Sequence, residues 1–284
     1  MTWSTLVVGT GYVGQRFLAQ QPIESLIGLS RSAVQSTRRI ETYDLDVGGQ
    51  VPVLLPDQYA VLYTVPPSSE LESDVRLERL LDALSPAPQR FVYISTTGVY
   101  GNRGGGLVDE ETPVSPETGR ARSRVAAEEL LRLWGAQHGC EILVLRVPGI
   151  YGPERLGIER IRKGLPVIAE SDTVPGNRIH VDDLVSCCIS GLSQQAPAGI
   201  YNVGDGDNRS STGFTNEVAH QYQLQAPPTI SMQDAEREFS PMHMSFLRES
   251  RLVSTKKMRD LLGVTPKYTN AEDGIAASLA EVSK

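Results

Sequence analysis

Hydrophobic residues along the chain form short apolar runs separated by amphipathic stretches. The runs predict strands at 5–8, 25–30, 61–65, 90–95, 141–147 and 199–203, and a further strand ends near Asp44 and Asp46. Apolar residues at helical spacing predict helices over 71–84, 122–135 and 182–192. Strands that alternate with helices are typical of a parallel sheet covered on both faces. We therefore predict an α/β fold with a doubly wound parallel sheet.

The regular alternation stops after residue 151. Gly157, Gly164, Pro166, Pro175 and Gly176 interrupt the next segment, which predicts loops around short helices. We assign residues 1–151 to the sheet domain, with 179–204 returning to it. Residues 152–178 and 205–284 are predicted to form most of a smaller, discontinuous C-terminal lobe that binds the substrate.

Three glycines follow the first predicted strand at close spacing. Gly9, Gly11 and Gly14 form a Gly-x-Gly-x-x-Gly pattern that also includes Thr10, Tyr12 and Val13. In a strand-to-helix turn, the first glycine allows the tight turn, the second lets the backbone approach phosphate, and the third lets the helix pack on the strand. The free N–H groups at the helix start favour an anion. The segment predicts binding of a dinucleotide pyrophosphate, and the alternative is a glycine turn with a structural role only.

The end of the second predicted strand indicates which dinucleotide binds. An acidic residue about twenty positions after the first glycine would bind the ribose 2′-hydroxyl of NAD, but this chain has Ser30 and Arg31 there. A guanidinium forms charge-assisted hydrogen bonds to a 2′-phosphate, so we predict NADP as the preferred cofactor and NAD as the alternative. Arg38 and Arg39 are expected to add to this positive field. The predicted cofactor site also includes Asp44 beside the adenine, together with Thr64, Val65, Pro66 and Pro148.

The overall charge argues against one class of partner. The 284 residues include 27 Lys and Arg against 34 Asp and Glu, and the net charge of −7 is unlike the basic surface of a nucleic-acid binder. The first twenty residues contain no basic segment followed by a long apolar run, so we expect no export signal, no membrane association and a cytoplasmic protein. The 3 cysteines and 4 histidines share no ligand spacing, so we predict no metal site.

Four further motifs follow the glycine turn. They read Phe-Val-Tyr-Ile-Ser-Thr-Thr-Gly-Val-Tyr-Gly at 91–101, Arg-Val-Pro-Gly-Ile-Tyr-Gly-Pro at 146–153, Arg-Ile-His-Val-Asp-Asp at 178–183 and Tyr-Asn-Val-Gly at 201–204. In this order and spacing, the chain resembles the extended short-chain dehydrogenase/reductases, the NAD-dependent epimerase/dehydratase group. The resemblance covers nearly the whole chain. It implies a Rossmann cofactor domain, a C-terminal substrate lobe and a homodimer.

The resemblance also identifies a candidate catalytic hydroxyl and a departure from the family pattern. Thr96 aligns with the Ser or Thr that hydrogen-bonds the reacting oxygen, and the alternative is a hydroxyl that only caps the strand end. The family expects Tyr-x-x-x-Lys in the next helix, where Lys lowers the pKa of Tyr for proton exchange. Arg120 and Arg124 stand at those positions, and a guanidinium cannot act as a base near neutral pH. The chain therefore resembles the atypical members of the superfamily.

Several residues are candidates to replace the missing phenol. Tyr100 is the first, with a packed aromatic as the alternative. Tyr151, His180 and the acidic run 109–111 are further candidates, each with a structural role as the alternative.

Arginines near the predicted site favour an anionic substrate, although pairing with surface acids explains the same residues. They are Arg120, Arg122, Arg124, Arg155, Arg178 and Arg251. The leading hypothesis is an NADP-dependent oxidoreductase or epimerase-like enzyme that acts on a small sugar-derived or phosphorylated substrate. In this hypothesis Thr96 polarises the reacting oxygen, and water, Tyr100 or another group handles the proton. The rival hypothesis is a non-catalytic protein that uses NADP occupancy to control docking of a partner.

Overall fold

A computed structural model describes residues 3–21, 26–34, 36–67 and 73–282. The strands are β1 (Ser4–Val8), β2 (Leu26–Ser30), β3 (Ile40–Thr42), β4 (Tyr59–Tyr63), β5 (Arg90–Thr96), β6 (Leu107–Val108), β7 (Glu141–Val147), β8 (Gly149–Tyr151), β9 (Val167–Ile168), β10 (Arg178–His180), β11 (Gly199–Asn202), β12 (Thr229–Ile230) and β13 (Leu252–Val253). The helices are α1 (Tyr12–Gln20), α2 (Val75–Ala83), α3 (Gly119–His138), α4 (Ile158–Arg162), α5 (Val181–Leu192), α6 (Ser211–Gln221), α7 (Met232–Glu238), α8 (Pro241–Arg248), α9 (Lys256–Leu261) and α10 (Ala271–Val282).

Seven of these strands form a central sheet in the order β3-β2-β1-β4-β5-β7-β11. Every neighbouring pair in the sheet is parallel. The chain adds strands on one side of β1 and then continues on the other side with β4, so the order reverses between β1 and β4. In open α/β sheets, ligands bind outside the carboxyl ends of the strands at such a reversal. The predicted doubly wound α/β fold is confirmed.

Helices cover both faces of the sheet because successive side chains of each strand point to opposite sides. Val7 packs on one face in a buried cluster with residues of α1 and α5, including Phe17 and Leu184. Its neighbours Leu6 and Val8 pack on the other face with residues of α2 and α3. The central strands are therefore mostly apolar, as is typical of strands buried on both faces.

The C-terminal part of the chain contributes three short parallel ladders, which pair β8 with β10, β9 with β12, and β6 with β13. Helices α6 and α10 pack together over Tyr151 and Ile161 in a separate apolar cluster. Met258, from α9, instead packs in the cluster that holds Leu145 of the central sheet. The assignment of 152–178 and 205–284 to a substrate lobe stays a prediction.

The element boundaries differ from the predicted ones in a few places. Strand 141–147 is found as predicted, whereas the strand predicted at 61–65 is wrong by two residues at each end, since β4 spans Tyr59–Tyr63. The helix predicted at 71–84 begins at Val75, where Asp74 caps its first turn by accepting from the N–H of Leu77. Ser25 and Leu71, the first residues of two predicted elements, lie outside the described residues. None of the helices in the described ranges has the length and apolarity needed to cross a membrane.

Candidate active site

The glycine-rich turn packs as tightly as its sequence predicts. Gly9 has a φ of +94°, which favours glycine, and a Cβ on Gly14 would stand 2.0 Å from the carbonyl oxygen of Gly9. The hydroxyl of Thr64 donates to that same carbonyl at 2.7 Å. Helix α1 therefore begins directly against the end of β1, and neither glycine has room for a side chain.

The space over Gly11 is open, unlike the tightly packed space around Gly9 and Gly14. Gly11 precedes the first residue of α1, and a Cβ there would meet no atom of the described residues within 4 Å. Within the described part of the chain, no side chain caps this helix end. Unpaired N–H groups and the positive end of the helix dipole thus face open space, which fits the pyrophosphate of a dinucleotide.

The other predicted cofactor residues lie at this edge of the sheet because the carboxyl ends of parallel strands meet there. They are Ser30 at the end of β2 and Arg31 after it, Asp44 after β3, Thr64, Val65 and Pro66 after β4, and Pro148 after β7. Arg31 is exposed. Asp44 lies in a turn rather than at a strand end and accepts from the N–H of Asp46 at 2.9 Å.

Two further arginines, Arg38 and Arg39, are expected to add positive charge around the 2′-phosphate, but in the structure they have other partners. The guanidinium of Arg38 donates to the backbone carbonyl of Gln21 at 2.6 Å, and Arg39 pairs with Glu41 at 3.3 Å. Arg39 precedes β3 and lies at the amino end of that strand, opposite the predicted ribose. The expectation is therefore wrong for Arg39, whereas the contribution of Arg38 to the field stays a prediction, and Arg31 directly follows β2.

A cavity of about 750 Å³ opens beside the end of β5 and extends into the C-terminal part of the chain. Its lining includes Ser95–Gly98, the first residues of α3, Pro148 and the segment 173–178. Thr96 caps the short 3₁₀ turn that follows β5, and its Oγ accepts from the N–H of Gly98 at 3.1 Å. Among the described residues, no acceptor takes the Thr96 hydroxyl proton. The proton is thus available to an oxygen atom bound in the cavity.

Arg120 and Arg124, which the sequence analysis predicted to replace a Tyr and a Lys, both line the cavity. Arg124 donates to the hydroxyl of Tyr93 at 2.8 Å, and its guanidinium carbon lies 5.2 Å from the centre of that ring. Burial raises the pKa of Tyr93 to about 12, against the opposing charge of Arg124. Tyr93 is therefore a neutral acceptor at pH 7 that fixes the direction of Arg124.

Tyr100 does not line the cavity. It is fully buried, and its hydroxyl donates to the amide oxygen of Asn202 at 2.8 Å and accepts from Arg146 at 2.9 Å. Arg146 in turn makes a buried ion pair with Glu128 of α3 at 2.7 Å. Glu128 also accepts from the hydroxyl of Ser95, the residue before Thr96. Tyr100 thus belongs to a network that holds the end of β5 in place.

His180 and Tyr151 are also held in structural contacts. His180 is 1% exposed, and burial lowers its pKa to about 4. Its Nδ1 accepts from the N–H of Asp182 at 3.2 Å, and its Nε2 lies 3.2 Å from the hydroxyl of Ser278, which itself donates to Gly274. These partners require the neutral Nε2–H tautomer. The Tyr151 ring packs edge-on against His180, with ring centres 5.2 Å apart.

The far wall of the cavity is rich in arginine. Arg178 donates to the carbonyls of Arg209 at 2.6 Å and Ser210 at 3.2 Å, and burial lowers its pKa. Arg251 donates to the carbonyl of Gly101 at 2.7 Å and to Glu249 at 2.8 Å. The described lining contains the arginines Arg120, Arg124, Arg155, Arg178 and Arg251. Glu249 is its only carboxylate among the described residues, so the cavity favours an anion.

The structure adds two residues and one contact that sequence reasoning missed. His243 and Glu249 line the cavity, and Arg155 stacks on Tyr12 with its guanidinium carbon 4.2 Å from the ring centre. No local pattern could have paired Arg155 with Tyr12, because they are far apart in sequence. Within the described ranges, no group of three His, Cys, Asp or Glu side chains is placed to hold a metal ion.

This chain is similar to known proteins in both sequence and architecture. Residues 67–204 match the sequence profile of the NAD dependent epimerase/dehydratase family. A dTDP-glucose 4,6-dehydratase of Streptomyces niveus is 32% identical over 137 residues, which cover 45% of this chain and 41% of that protein. A UDP-glucose 4-epimerase of Mycolicibacterium smegmatis is 25% identical over 96% of this chain and 91% of its own length. The chain spans about two fifths of the length of the curated relatives it matches first.

A solved structure has nearly the same extent. A functionally unknown conserved protein from Silicibacter pomeroyi covers 99% of both chains, with a TM-score of 0.83 and 29% identity. Its likeness includes the sheet, the glycine-rich turn region and the C-terminal part together, since the overlap is nearly complete. From the profile match and the related sequences, residues 67–204 of this chain form a domain of the NAD dependent epimerase/dehydratase type, and the whole chain shares the fold of the Silicibacter pomeroyi protein.

Proposed function

We propose that this protein is an NADP-preferring oxidoreductase or epimerase-like enzyme that acts on a small anionic substrate, either sugar-derived or phosphorylated. The observation that carries the proposal is the arginine-lined cavity, which opens at Thr96 and Pro148 beside the carboxyl edge of the sheet. The related dehydratase and epimerase act on sugar nucleotides, as their names state, and such substrates carry phosphate groups that arginine binds well.

The residues at the sheet edge are suited to hold the dinucleotide. Gly11 and the start of α1 would bind the pyrophosphate, Arg31 the 2′-phosphate, and Asp44 the adenine. A bound nicotinamide supplies a centre that gives or accepts a hydride. Pro148 would pack against this end of the cofactor, since it lines the cavity at the end of β7.

Thr96 would act on the reacting oxygen of the substrate. Its hydroxyl oxygen is occupied by the N–H of Gly98, so the hydroxyl proton donates outward and stabilises negative charge that develops on that oxygen. Arg124, fixed by Tyr93, adds a permanent positive charge on the same side of the cavity. Neither Arg120 nor Arg124 can take up a proton, because a guanidinium is already protonated. We therefore assign the proton transfer to water.

The test is a titration of the protein, freed of nucleotide, with NADPH and with NADH. We expect NADPH to bind at about ten micromolar or tighter and NADH clearly more weakly. Arg31→Asp should weaken NADPH by about tenfold or more and affect NADH little, because only NADPH carries the 2′-phosphate. Arg39→Asp makes the same charge change at the other edge of the sheet and should leave both affinities unchanged. Equal effects of Arg31→Asp on both nucleotides would contradict the NADP assignment.

A second test addresses catalysis. Thr96→Ala should lower kcat by about a hundredfold for whichever substrate a screen of sugar nucleotides and phosphorylated carbonyl compounds identifies, with NADPH affinity unchanged. An activity that survives Thr96→Ala would refute this mechanism.

The two arginines at the Tyr and Lys positions favour one alternative function, a non-catalytic protein that senses NADP and docks a partner. It predicts tight NADPH binding together with no turnover of any substrate in the same screen. Failure of both nucleotides to bind would contradict the enzyme and the sensor alike.

A further inference from the structure

Arg155 has an unusual position between the two parts of the site. It lines the substrate cavity, yet it also contacts the glycine-rich turn by stacking on Tyr12, the first residue of α1. None of the glycines of the turn is among the described residues that line the cavity. Arg155 therefore marks the place where a dinucleotide lying over Gly11 would enter the cavity.

The contacts around Tyr12 hold the loop of Arg155 against the turn. The hydroxyl of Tyr12 donates to the carbonyl of Pro153 at 2.8 Å. Burial raises the pKa of Tyr12 to about 12, so it stays a neutral donor. A Cβ on Gly152 would stand 2.6 Å from this hydroxyl, which means that the close approach requires glycine there. The loop 152–155 is thus fixed to the first turn of α1 through one side chain.

The guanidinium of Arg155 is free to bind a ligand. It is exposed, and among the described residues it donates no hydrogen bond to the protein and forms no ion pair. Arginine carries five N–H donors in a planar fork that matches phosphate oxygens. Its stacking on Tyr12 restricts the side chain to the region of the helix start, so less conformational freedom is lost on binding.

Resting on the proposed cofactor binding, we propose that Arg155 binds the pyrophosphate of the dinucleotide from the side opposite the N–H groups of α1. The anion would then lie between two positive groups: the helix start after Gly11 on one side and the guanidinium on the other. A phosphate of the substrate is the second possible source of the same chemistry, because Arg155 also faces the cavity.

The experiment measures affinities by calorimetry for the full chain and for Arg155→Ala. The probes are NADPH, NADH, adenosine 2′-monophosphate and UDP. We expect Arg155→Ala to weaken NADPH and NADH by the same factor, about tenfold or more, because both contain the pyrophosphate. Adenosine 2′-monophosphate lacks it and should bind unchanged. Arg155→Lys should recover part of the affinity, since it restores a point charge without the fork.

Arg162→Ala is the matched control. Arg162 lies a few residues further on in α4 and is paired with Glu159, so the variant changes the same charge without touching the turn. Its nucleotide affinities should equal those of the unmodified protein. Thermal unfolding of Arg155→Ala should also be unchanged, because the side chain is exposed.

The outcomes separate this inference from the proposed function. Unchanged NADPH and NADH affinities in Arg155→Ala overturn the inference and leave the proposed function standing, and a loss confined to UDP would assign the arginine to the substrate. A loss that extends to adenosine 2′-monophosphate would also overturn the pyrophosphate assignment. Failure of the unmodified protein to bind any dinucleotide would remove the proposed function, and the inference with it.

Discussion

The buried pair of Glu128 and Arg146 leads to the most quantitative prediction. Glu128 accepts from Arg146 Nη2 at 2.7 Å and Nε at 3.2 Å, and from the hydroxyl of Ser95. The two side chains are 9% and 5% exposed. Glu128→Ala removes the carboxylate and leaves a guanidinium buried with the Tyr100 hydroxyl as its remaining hydrogen-bond partner.

The expected cost follows from three lost hydrogen bonds to the carboxylate and one uncompensated buried charge. Each such bond contributes about 1.5–3 kcal/mol, and breaking a buried pair from one side costs about 3–5 kcal/mol. We expect Glu128→Ala to lower the free energy of unfolding by about 3–5 kcal/mol. This loss is a large part of the roughly 5–15 kcal/mol that stabilises a typical folded protein.

The double variant Glu128→Leu with Arg146→Met separates the charge from the packing. Replacing both partners by apolar residues of similar volume removes the buried charge, so we expect its stability to return to within about 2 kcal/mol of the unmodified protein. Urea unfolding followed by circular dichroism measures all variants, with the single changes Glu128→Leu and Arg146→Met completing the cycle. A cost of Glu128→Ala below about 1 kcal/mol would refute the reasoning, as would a double variant that loses the sum of the two single losses.

The remaining predictions concern the glycine turn and the buried carboxyl of Asp205. Gly11→Ala should keep the free energy of unfolding within about 1 kcal/mol but weaken NADPH binding, because its Cβ points into open space where phosphate would bind. Gly14→Ala should destabilise the fold by about 1–3 kcal/mol or more, because its Cβ would collide with the carbonyl of Gly9. Thermal unfolding and NADPH titration of both glycine variants check these expectations, and equal stabilities of the two variants would contradict them. Burial raises the pKa of Asp205 to about 7, so the folded state keeps a proton that the unfolded state loses above about pH 4. This carboxyl therefore destabilises the fold increasingly from about pH 4 to about pH 7 and by a constant amount above that. Asp205→Asn should raise the free energy of unfolding by at most about 4 kcal/mol at pH 8 and by clearly less at pH 5. Urea unfolding at both pH values measures this gain, and a gain that does not depend on pH would rule out the assigned cause.

The pattern of apolar residues predicted the sheet well where strands are buried on both faces. The segment 141–147 is an example, since every residue from Leu143 to Val147 is buried. The same pattern misplaced β4, because Val65 is apolar but lies beyond the strand. Val65 instead packs against Gly9, and a Cβ added to Gly9 would lie 2.8 Å from a Val65 methyl carbon. Local hydrophobicity cannot distinguish a strand residue from one that supports a turn.

The glycine turn was predictable because its constraint is local. Gly9 and Gly14 contact each other within one turn, so their spacing alone encodes the geometry. The wall of the cavity was only partly predictable. The approach of Arg155 to Tyr12 depends on how the C-terminal part of the chain folds back on the sheet, and no short segment encodes it.

The charge distribution shows why net charge and ligand charge need not agree. The chain carries −7 overall, yet five arginines and one carboxylate are the charged groups of the described cavity lining. Many acids are instead engaged elsewhere; Asp182 and Glu281, for example, both bind Arg16 on α1. Since charges in solvent are screened beyond roughly 8 Å, a ligand in the cavity is governed mainly by the arginines that touch it. An acidic protein can therefore still bind a small anion, and salt should weaken that binding less than it weakens surface ion pairs because the cavity walls exclude part of the solvent.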